Sequence, residues 1–148
     1  MISLIDTNVL LAAAVPAGKQ HRPAFASLQR LSGGLGKISP QIVREFHSVA
    51  TRASRREDER PGFGFTPEES WALLDAFQTA FEVVDEDAAV VAELGRLSLR
   101  YAVSGRQIHD ANLVATARRH GIPRIVTLNF GDFRRFSREI DVVTPDRA

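Results

Sequence analysis

Short apolar runs and longer segments with helical periodicity alternate along the chain. The short runs predict brief buried strands at 2–5, 37–38, 81–84, 124–127 and 140–143. Apolar positions at helical spacing predict helices at about 9–14, 21–31, 40–53, 67–77, 87–101 and 105–120. Helices and strands in this order indicate an α/β domain with a mostly parallel central sheet.

Polar residues mark several of the predicted helix starts and ends. Ser39 and Pro40 are the kind of N-cap and first residue that open a helix. Two capping-box patterns, in which Ser or Thr precedes Glu or Gln by three residues, stand at 66–69 and 104–107. Gly121 is expected to end the helix that the second box opens. These signals support the predicted boundaries independently of the apolar pattern.

A charged, glycine-rich stretch at about 54–65 fits neither pattern. The chain has 148 residues, a length typical of one domain. We therefore predict a single domain spanning residues 1–148, with 54–65 as a mobile excursion inside it rather than a linker.

The composition excludes several classes of protein. Hydrophobic residues make up 44% of the chain and charged residues 25%, as in ordinary globular proteins. The absence of cysteine excludes disulfides, zinc–thiolate sites and cysteine nucleophiles, and is compatible with a reducing cytoplasm. No apolar segment approaches the ~20 residues of a membrane helix, and the first residues lack the features of a signal peptide. We expect a cytoplasmic protein that does not enter membranes.

Basic charge is clustered along the chain rather than abundant. The formal net charge is only +1, which by itself does not indicate a nucleic-acid-binding protein. The clustered residues are arginines, at Arg52, Arg55, Arg56 and Arg60 and again at Arg134, Arg135 and Arg138. Guanidinium groups suit phosphate oxygens, but a solvated arginine-rich surface would give the same pattern.

Acidic and polar residues follow two of the predicted strands. Asp6 comes directly after the first strand, and Asn129 and Asp132 come after the strand that ends at Thr127. In open parallel sheets, ligands bind beyond the carboxyl ends of the strands. These side chains are therefore candidates for a binding site.

Two more acids lie on predicted helices beside apolar residues. Glu45 borders the apolar stripe that contains Ile42 and Val49, at ~100° per residue, so it is expected to point toward the sheet. Asp110 stands among apolar residues with few charged neighbours. Burying an isolated carboxylate is costly, so both acids call for a partner or a bound cation.

Converging carboxylates suit hard cations such as Mg²⁺ and Mn²⁺, which can activate water and neutralise charge on a phosphodiester. Each acid also has a purely structural explanation. The alternatives are a helix cap at Asp6, a surface position for Glu45, an ion pair with Arg106 or His109 for Asp110, and a cap of the 133–136 turn for Asp132. For Asp132 we favour the cap.

Four segments of the chain resemble sequence motifs of the PIN-domain family. The sequence Ile-Asp-Thr-Asn-Val-Leu at 5–10 resembles its N-terminal signature, and Glu45 within 42–46 matches its helix-borne glutamate. The segment 109–117, which contains Asp110, resembles its central Asp helix, and 125–133 resembles its closing strand and turn. The matches extend from residue 2 to about 143.

Within that family the chain resembles the VapC-like toxins of toxin–antitoxin pairs. The resemblance implies a three-layer α/β/α sandwich and a Mg²⁺- or Mn²⁺-dependent endoribonuclease that hydrolyses RNA with a metal-activated water. It also implies a small cognate antitoxin as partner and a homodimer. The implied catalytic metal ligands are Asp6, Glu45 and Asp110, and the implied supporting residues are Thr7, Asn8, Thr127, Asn129 and Asp132.

The chain departs from the family pattern at Asn129. Many relatives carry an aspartate two residues after the threonine that Thr127 matches, whereas an amide brings no charge. Asp132 could compensate directly or through water. The departure bears on a second metal ion rather than on the first.

Several alternative functions start from the same acids. A phosphatase of the haloacid-dehalogenase type is disfavoured because Asn8 stands where a second aspartate is needed, and a receiver domain lacks its lysine near the last strand. A PIN-like module that binds RNA or protein without cleavage remains open, with Asn129 in its favour. An RNA-processing nuclease without an antitoxin also remains open.

The stretch at 52–65, with its arginines and Phe63 and Phe65, is either an RNA- or antitoxin-contacting element or a disordered surface loop.

Overall fold

Five strands form one sheet in the computed structural model, which describes residues 1–53 and 63–148. In chain order they are β1 (Ser3–Ile5), β2 (Gly36–Ile38), β3 (Glu82–Val83), β4 (Arg124–Val126) and β5 (Asp141–Val143). Across the sheet the order is β3-β2-β1-β4-β5, and every neighbouring pair is parallel. The predicted α/β class is confirmed, and the sheet is parallel throughout.

Seven α-helices cover this sheet within the described residues. They are α1 (Thr7–Ala14), α2 (His21–Leu31), α3 (Pro40–Ala50), α4 (Pro67–Ala80), α5 (Ala88–Arg100), α6 (Gln107–Arg119) and α7 (Phe130–Phe133). Helix α1 contacts α2 and α3, α3 contacts α4, and α5 packs along α6. The two helix groups and the sheet form the expected α/β/α sandwich. None of the helices in residues 1–53 and 63–148 has the length and hydropathy of a membrane-spanning segment.

The central strand β1 is buried along its whole length. Leu4 and Ile5 have no exposed surface, and neither has Ile125 on the neighbouring strand β4. Strands covered by helices on both faces are apolar without alternation, which explains the short apolar runs in the sequence. Burial of each such side chain contributes about 1.5–3 kcal/mol. Strand β1 is therefore a firmly held element at the point where the chain reaches Asp6.

The first predicted capping box is confirmed and the second is wrong. The backbone N–H of Glu69 donates to Thr66 Oγ1 at 3.1 Å, and the Glu69 carboxylate accepts from the Thr66 N–H. The other box fails because Gly105 has a φ of 57°, outside the right-handed helical region. Helix α6 consequently begins at Gln107, with no side-chain cap.

The predicted start of α3 at Ser39 and Pro40 is confirmed, but the Ser39 side chain does not cap the helix. Ser39 is the N-cap residue and Pro40 follows it, but the Ser39 hydroxyl makes no capping bond and is buried without a hydrogen-bond partner among the described residues. The Gln41 N–H instead donates to Glu86 Oε1 at 2.6 Å. A carboxylate from the segment after β3 thus satisfies this helix end, which no local sequence signal indicates.

Most of the predicted excursion at 54–65 lies outside the described residues, which stop at 53 and resume at 63. The N–H of Phe65 donates to the Ala50 carbonyl at 2.8 Å, and the N–H of Gly64 donates to the Arg52 carbonyl at 2.7 Å. Phe65 also packs against the hydrophobic core. Residues 64 and 65 are therefore bound to the end of α3.

Substitution of Gly36 tests the close packing between β2 and its neighbours. An alanine Cβ there would lie 2.5 Å from Phe81 Cδ1 and 2.8 Å from Ile5 Cδ1. We expect Gly36→Ala to lower the free energy of unfolding by about 1–3 kcal/mol, as overpacked cores do, measured by urea denaturation. The matched control is Gly95→Ala in α5, where a Cβ meets no heavy atom within 4 Å and should raise stability by up to about 1 kcal/mol. Equal effects of the two changes would contradict this account of the packing.

Candidate functional site

The site lies at the carboxyl ends of the two central strands. Asp6 directly follows β1, and Thr127 directly follows β4. The Asp6 N–H donates to the Val126 carbonyl at 3.0 Å, so the parallel pairing extends to the last residue before the site. Asp6 occupies the N-cap position of α1 but makes no side-chain cap, so the helix-cap explanation of this acid is wrong.

A hydrogen-bond network fixes the Asp6 carboxylate. Its Oδ2 accepts from the Thr127 hydroxyl at 2.6 Å and from the Asn8 amide at 2.9 Å. Asn8 is held in turn, because its Oδ1 accepts from the Leu128 N–H at 3.0 Å. Thr127 is fully buried, and its hydroxyl accepts from the Asn129 N–H at 3.0 Å. Thr127 and Asn8 therefore orient the Asp6 carboxylate.

Glu45 lies in the second turn of α3 and turns toward the same edge of the sheet. Its Oε2 accepts from the Thr7 hydroxyl at 3.1 Å, and its Oε1 accepts from the Gln41 amide at 2.8 Å. Glu45 is half-buried, so its explanation as a surface acid is wrong. The contact with Thr7 places Glu45 beside the residue that follows Asp6.

Gln41 is a site residue that the sequence did not reveal. It is buried, and its amide nitrogen donates both to Glu45 Oε1 and to the carbonyl of His109 at 2.9 Å. Its amide oxygen accepts from Asn112 at 2.6 Å. One side chain thus ties α3 to the first turns of α6, where Asp110 lies. Its spacing of four residues before Glu45 is the one signal that could have indicated it.

Asp110 lies in the first turn of α6, half-buried, because the helix begins later than predicted. Within the described residues it forms no ion pair, so the proposed pairing with Arg106 or His109 is wrong. It shares a cavity of about 190 Å³ with Asp132. Asp132 lies inside α7 rather than at a helix start, so the cap favoured for it is wrong as well.

Asn129 contributes to the site through its backbone. Its side chain is exposed and makes no hydrogen bond among residues 1–53 and 63–148, whereas its N–H donates to Thr127. The structure therefore brings together Asp6, Glu45, Asp110 and Asp132 and leaves the Asn129 amide at the margin.

Burial and mutual repulsion raise the pKa of two of these acids. Burial raises the pKa of Asp6 to about 6, with the charges of Glu45 and Asp110 adding to it and the Thr127 hydrogen bond opposing it. Burial also raises the pKa of Asp110 to about 6, with further contributions from the charges of Asp132 and Glu45. The four carboxylates therefore share one electrostatic environment. No basic side chain of the described residues forms an ion pair with any of them.

The oxygens of these four carboxylates are the type of ligand that a hard divalent cation prefers, and no cationic side chain of the described residues pairs with them. As the side chains stand, no three Asp, Glu, His or Cys residues in the described ranges are close enough to hold a metal ion together. Both Glu45 oxygens are engaged by Thr7 and Gln41. Direct ligation by all three acids would therefore require side-chain movement, or water molecules between acid and ion.

The fold and the site define an α/β domain with an acidic centre at the carboxyl edge of a parallel sheet. The sequence profile of the PIN domain matches residues 3–139. The chain belongs to the PIN-domain family, as the sequence motifs indicated.

Individual relatives agree with this assignment. The chain is 28% identical to Ribonuclease VapC24 of Mycobacterium tuberculosis over 96% of its own length and 97% of that protein. It resembles a chain in the crystal structure of VapBC2 from Rickettsia felis bound to a promoter DNA fragment, with a TM-score of 0.68, 18% identity and coverage of 97% and 98%. A toxin–antitoxin complex from Klebsiella pneumoniae gives a TM-score of 0.67, 21% identity and coverage of 97% of each chain. The structural matches confirm the predicted fold.

The raised pKa of Asp6 predicts how stability depends on pH without divalent ions. The folded chain holds the Asp6 proton up to about pH 6, whereas the ordinary value is 3.8. Stability should therefore fall as the pH rises from about 4 to about 6, by about 1.4 kcal/mol per pH unit, and level off above the folded pKa. Urea denaturation in EDTA should show this decline and show it reduced in Asp6→Asn, whose amide oxygen can still accept from Thr127.

The exposed acid Asp75 on α4 provides the control for loss of one negative charge. Asp75→Asn should keep the decline of the parent protein. A decline that is the same in Asp6→Asn and in the parent would contradict the assignment of the raised pKa to Asp6.

Proposed function

We propose that this protein is a Mg²⁺- or Mn²⁺-dependent endoribonuclease. The observation that carries the proposal is the buried Asp6, held beside Glu45 and Asp110 with no cationic partner in the described residues, in a chain of the PIN-domain family. Carboxylates arranged in this way repel a phosphodiester unless a cation lies between them. The similarity to Ribonuclease VapC24 supports RNA as the substrate.

Each site residue has a role in this proposal. Asp6, Glu45 and Asp110 hold the cation, and Asp132, which lines the same cavity as Asp110, contributes a fourth carboxylate. Thr127 and Asn8 fix Asp6 by hydrogen bonds, and Thr7 and Gln41 fix Glu45. Hydrogen-bonded supports of this kind set the orientation of ligands and their affinity for the ion.

The protein's own residues prepare the site for hydrolysis of a phosphodiester. When bound, the ion supplies a Lewis acid for the phosphate and lowers the pKa of a water molecule. The buried hydrogen bonds around Asp6 keep its carboxylate oriented without further reorganisation during the reaction. Water is the nucleophile in this proposal, and the hydroxyls of Thr7 and Thr127 orient the carboxylates to which they donate.

The proposal extends to partners and location. A toxin role, with a small antitoxin as partner, is supported by the relatives that are toxin–antitoxin complexes. An exposed groove of about 500 Å³, lined mainly by apolar side chains, offers such a partner a surface for apolar contacts. Its lining includes Ala13, Ala14, Phe25, Leu28, Leu73 and Phe77. Homodimerisation and a cytoplasmic location complete the proposal, and light scattering of the purified protein tests the first.

The acidic site favours cleavage over mere binding, because a module that only binds RNA gains nothing from buried carboxylates. The exposed Asn129 is compatible with either function. An RNA-processing nuclease without an antitoxin is distinguished genetically, by whether a neighbouring gene encodes a small protein that copurifies with this chain and blocks its activity.

Cleavage should depend on divalent ions and on the buried acids. Purified protein with Mg²⁺ or Mn²⁺ is expected to cut single-stranded RNA and to lose the activity in EDTA. Asp6→Asn and Asp110→Asn should each lower the cleavage rate by at least about a hundredfold, because each removes a charged ligand. Gel analysis of end-labelled RNA measures the rates, and circular dichroism confirms that the variants are folded.

The Asp75→Asn control should cleave at the rate of the parent protein, because Asp75 is exposed on α4. Full activity of Asp6→Asn with ions present would refute the assigned site. RNA binding without cleavage by the parent protein would favour the non-cleaving module.

Metal binding can be measured without RNA. A ligand that binds only the folded state stabilises it by about 2.7 kcal/mol at a hundredfold excess over its Kd. We expect Mn²⁺ to raise the Tm of the parent protein at neutral pH and to raise that of Asp6→Asn and Glu45→Gln much less. Equal increases in all three proteins would place the bound ion elsewhere.

A further inference from the structure

The cavity beside Asp110 contains an arginine as well as carboxylates. It forms where the start of α6 meets α7 and the 3₁₀ turn Arg134–Phe136. Its lining residues are Gln107, Asp110, Gly131, Asp132, Arg135 and Phe136. Its volume is about 190 Å³, several times the ~30 Å³ that one water molecule occupies in the liquid.

Neutral groups hold the Arg135 guanidinium in place. Its Nη1 donates to Gln107 Oε1 at 2.6 Å, and its Nη2 donates to the carbonyl of Tyr101. Its planar group lies over the ring of Phe136, 5.6 Å from the centroid. These contacts use two of its five N–H donors and leave its charge uncompensated. The side chain is oriented and still able to bind an anion.

Two other arginines show how guanidinium groups are paired elsewhere in this fold. Arg96 and Arg118 both pair with Glu93 and Glu139. Arg135 forms no ion pair within the described residues, although Asp110 and Asp132 line the same cavity. A fixed, unpaired guanidinium beside a carboxylate cluster is therefore not explained by charge pairing within the fold.

The arginine cluster in the sequence separates into different roles here. Arg134 lies over the exposed ring of Phe130, 5.9 Å from its centroid, and does not line the cavity. Arg138 is exposed and takes part in no side-chain hydrogen bond or ion pair of the described residues. Only Arg135 of the three lines the cavity shared with Asp110 and Asp132.

We propose that Arg135 binds a backbone phosphate of the RNA substrate in the cavity next to Asp110. The inference rests on the proposed ribonuclease function, because it places the phosphate between the carboxylate centre and the guanidinium. An arginine fork offers two parallel N–H donors to phosphate oxygens, and these charge-assisted bonds are about twice as strong as neutral ones. Arg135 thereby positions the RNA and adds positive charge where the carboxylates add none.

Binding of RNA tests the inference apart from cleavage. A short fluorescein-labelled single-stranded RNA of mixed sequence is titrated with protein that keeps all its site acids, at several salt concentrations. Ca²⁺ replaces Mg²⁺ to slow cleavage, and a gel of each sample checks that the RNA is intact. We expect Arg135→Gln to weaken binding about tenfold, which is the value of one lost charge-assisted hydrogen bond. The slope of log K against log salt concentration should fall in magnitude by about 0.7, as for one lost contact to a single strand.

Two further variants separate phosphate binding from a structural role. Arg138→Gln removes one charge from the same segment and should leave affinity and salt slope unchanged. Arg135→Lys keeps the charge without the fork, so it should restore the salt slope but only part of the affinity. If Arg135 only braced the fold, Arg135→Gln would lower the Tm while leaving the salt slope of the folded protein at its original value.

Cleavage assays then distinguish this inference from the proposed function. Arg135→Gln is expected to lower kcat/KM about tenfold or more while leaving the Mn²⁺-induced rise in Tm intact. If the parent protein cleaves RNA and Arg135→Gln cleaves and binds it equally well, the inference about Arg135 is overturned and the ribonuclease stands. If the parent protein does not cleave RNA, the proposed function fails, and the binding series still decides whether Arg135 contacts phosphate.

Discussion

The site depends on one constraint, which is that a carboxylate is held out of water at the end of the most buried strand. Strand β1 fixes Asp6, and only 6% of the residue's surface is exposed. Hydrogen bonds from Thr127 and Asn8 offset part of the desolvation, but they do not supply positive charge. The fold therefore maintains a group whose charged form is unfavourable until a cation binds. Such a cost is typical of functional sites rather than of structural ion pairs.

Parallel pairing explains how distant parts of the chain meet there. Strands β1 and β4 are neighbours, so the residues that follow them emerge at the same edge of the sheet. Strand pairing does not fix the acids that lie on helices, because a helix can rotate about its axis or shift along it. Glu45 and Asp110 therefore need a further contact between their helices. Gln41 supplies it by bonding to Glu45 in its own helix and to the His109 carbonyl at the start of α6. The spacing between Glu45 and Asp110 is thus set by an amide and not by the acids themselves.

The sequence predicted the parts of the site that follow from local pattern. Asp6 was recognisable because it ends an apolar run, and Asp110 because it interrupts one. Gln41 was missed, because only its spacing of four residues before Glu45 is a local signal and its other partners, His109 and Asn112, lie on another helix. The capping box at 104–107 failed because Gly105 takes a left-handed conformation that the sequence motif does not exclude. Arg135 could not be separated from Arg134 and Arg138, because their difference lies in which of them lines the cavity.

The excess of negative charge at this edge of the sheet determines the order in which the cation and the RNA bind in the proposed mechanism. Four carboxylates whose charges act on one another lie at this edge, whereas Arg135 is the one basic residue of the described chain that lines the cavity beside Asp110 and Asp132. A phosphodiester that approached the acids alone would be repelled, and the single guanidinium could not outweigh them. A divalent ion held by the acids would reverse this balance, and Arg135 would then be free to bind a phosphate in the cavity it shares with Asp110. In the proposed mechanism the ion therefore binds before RNA, so the acids control when the substrate is held as well as where it is cut.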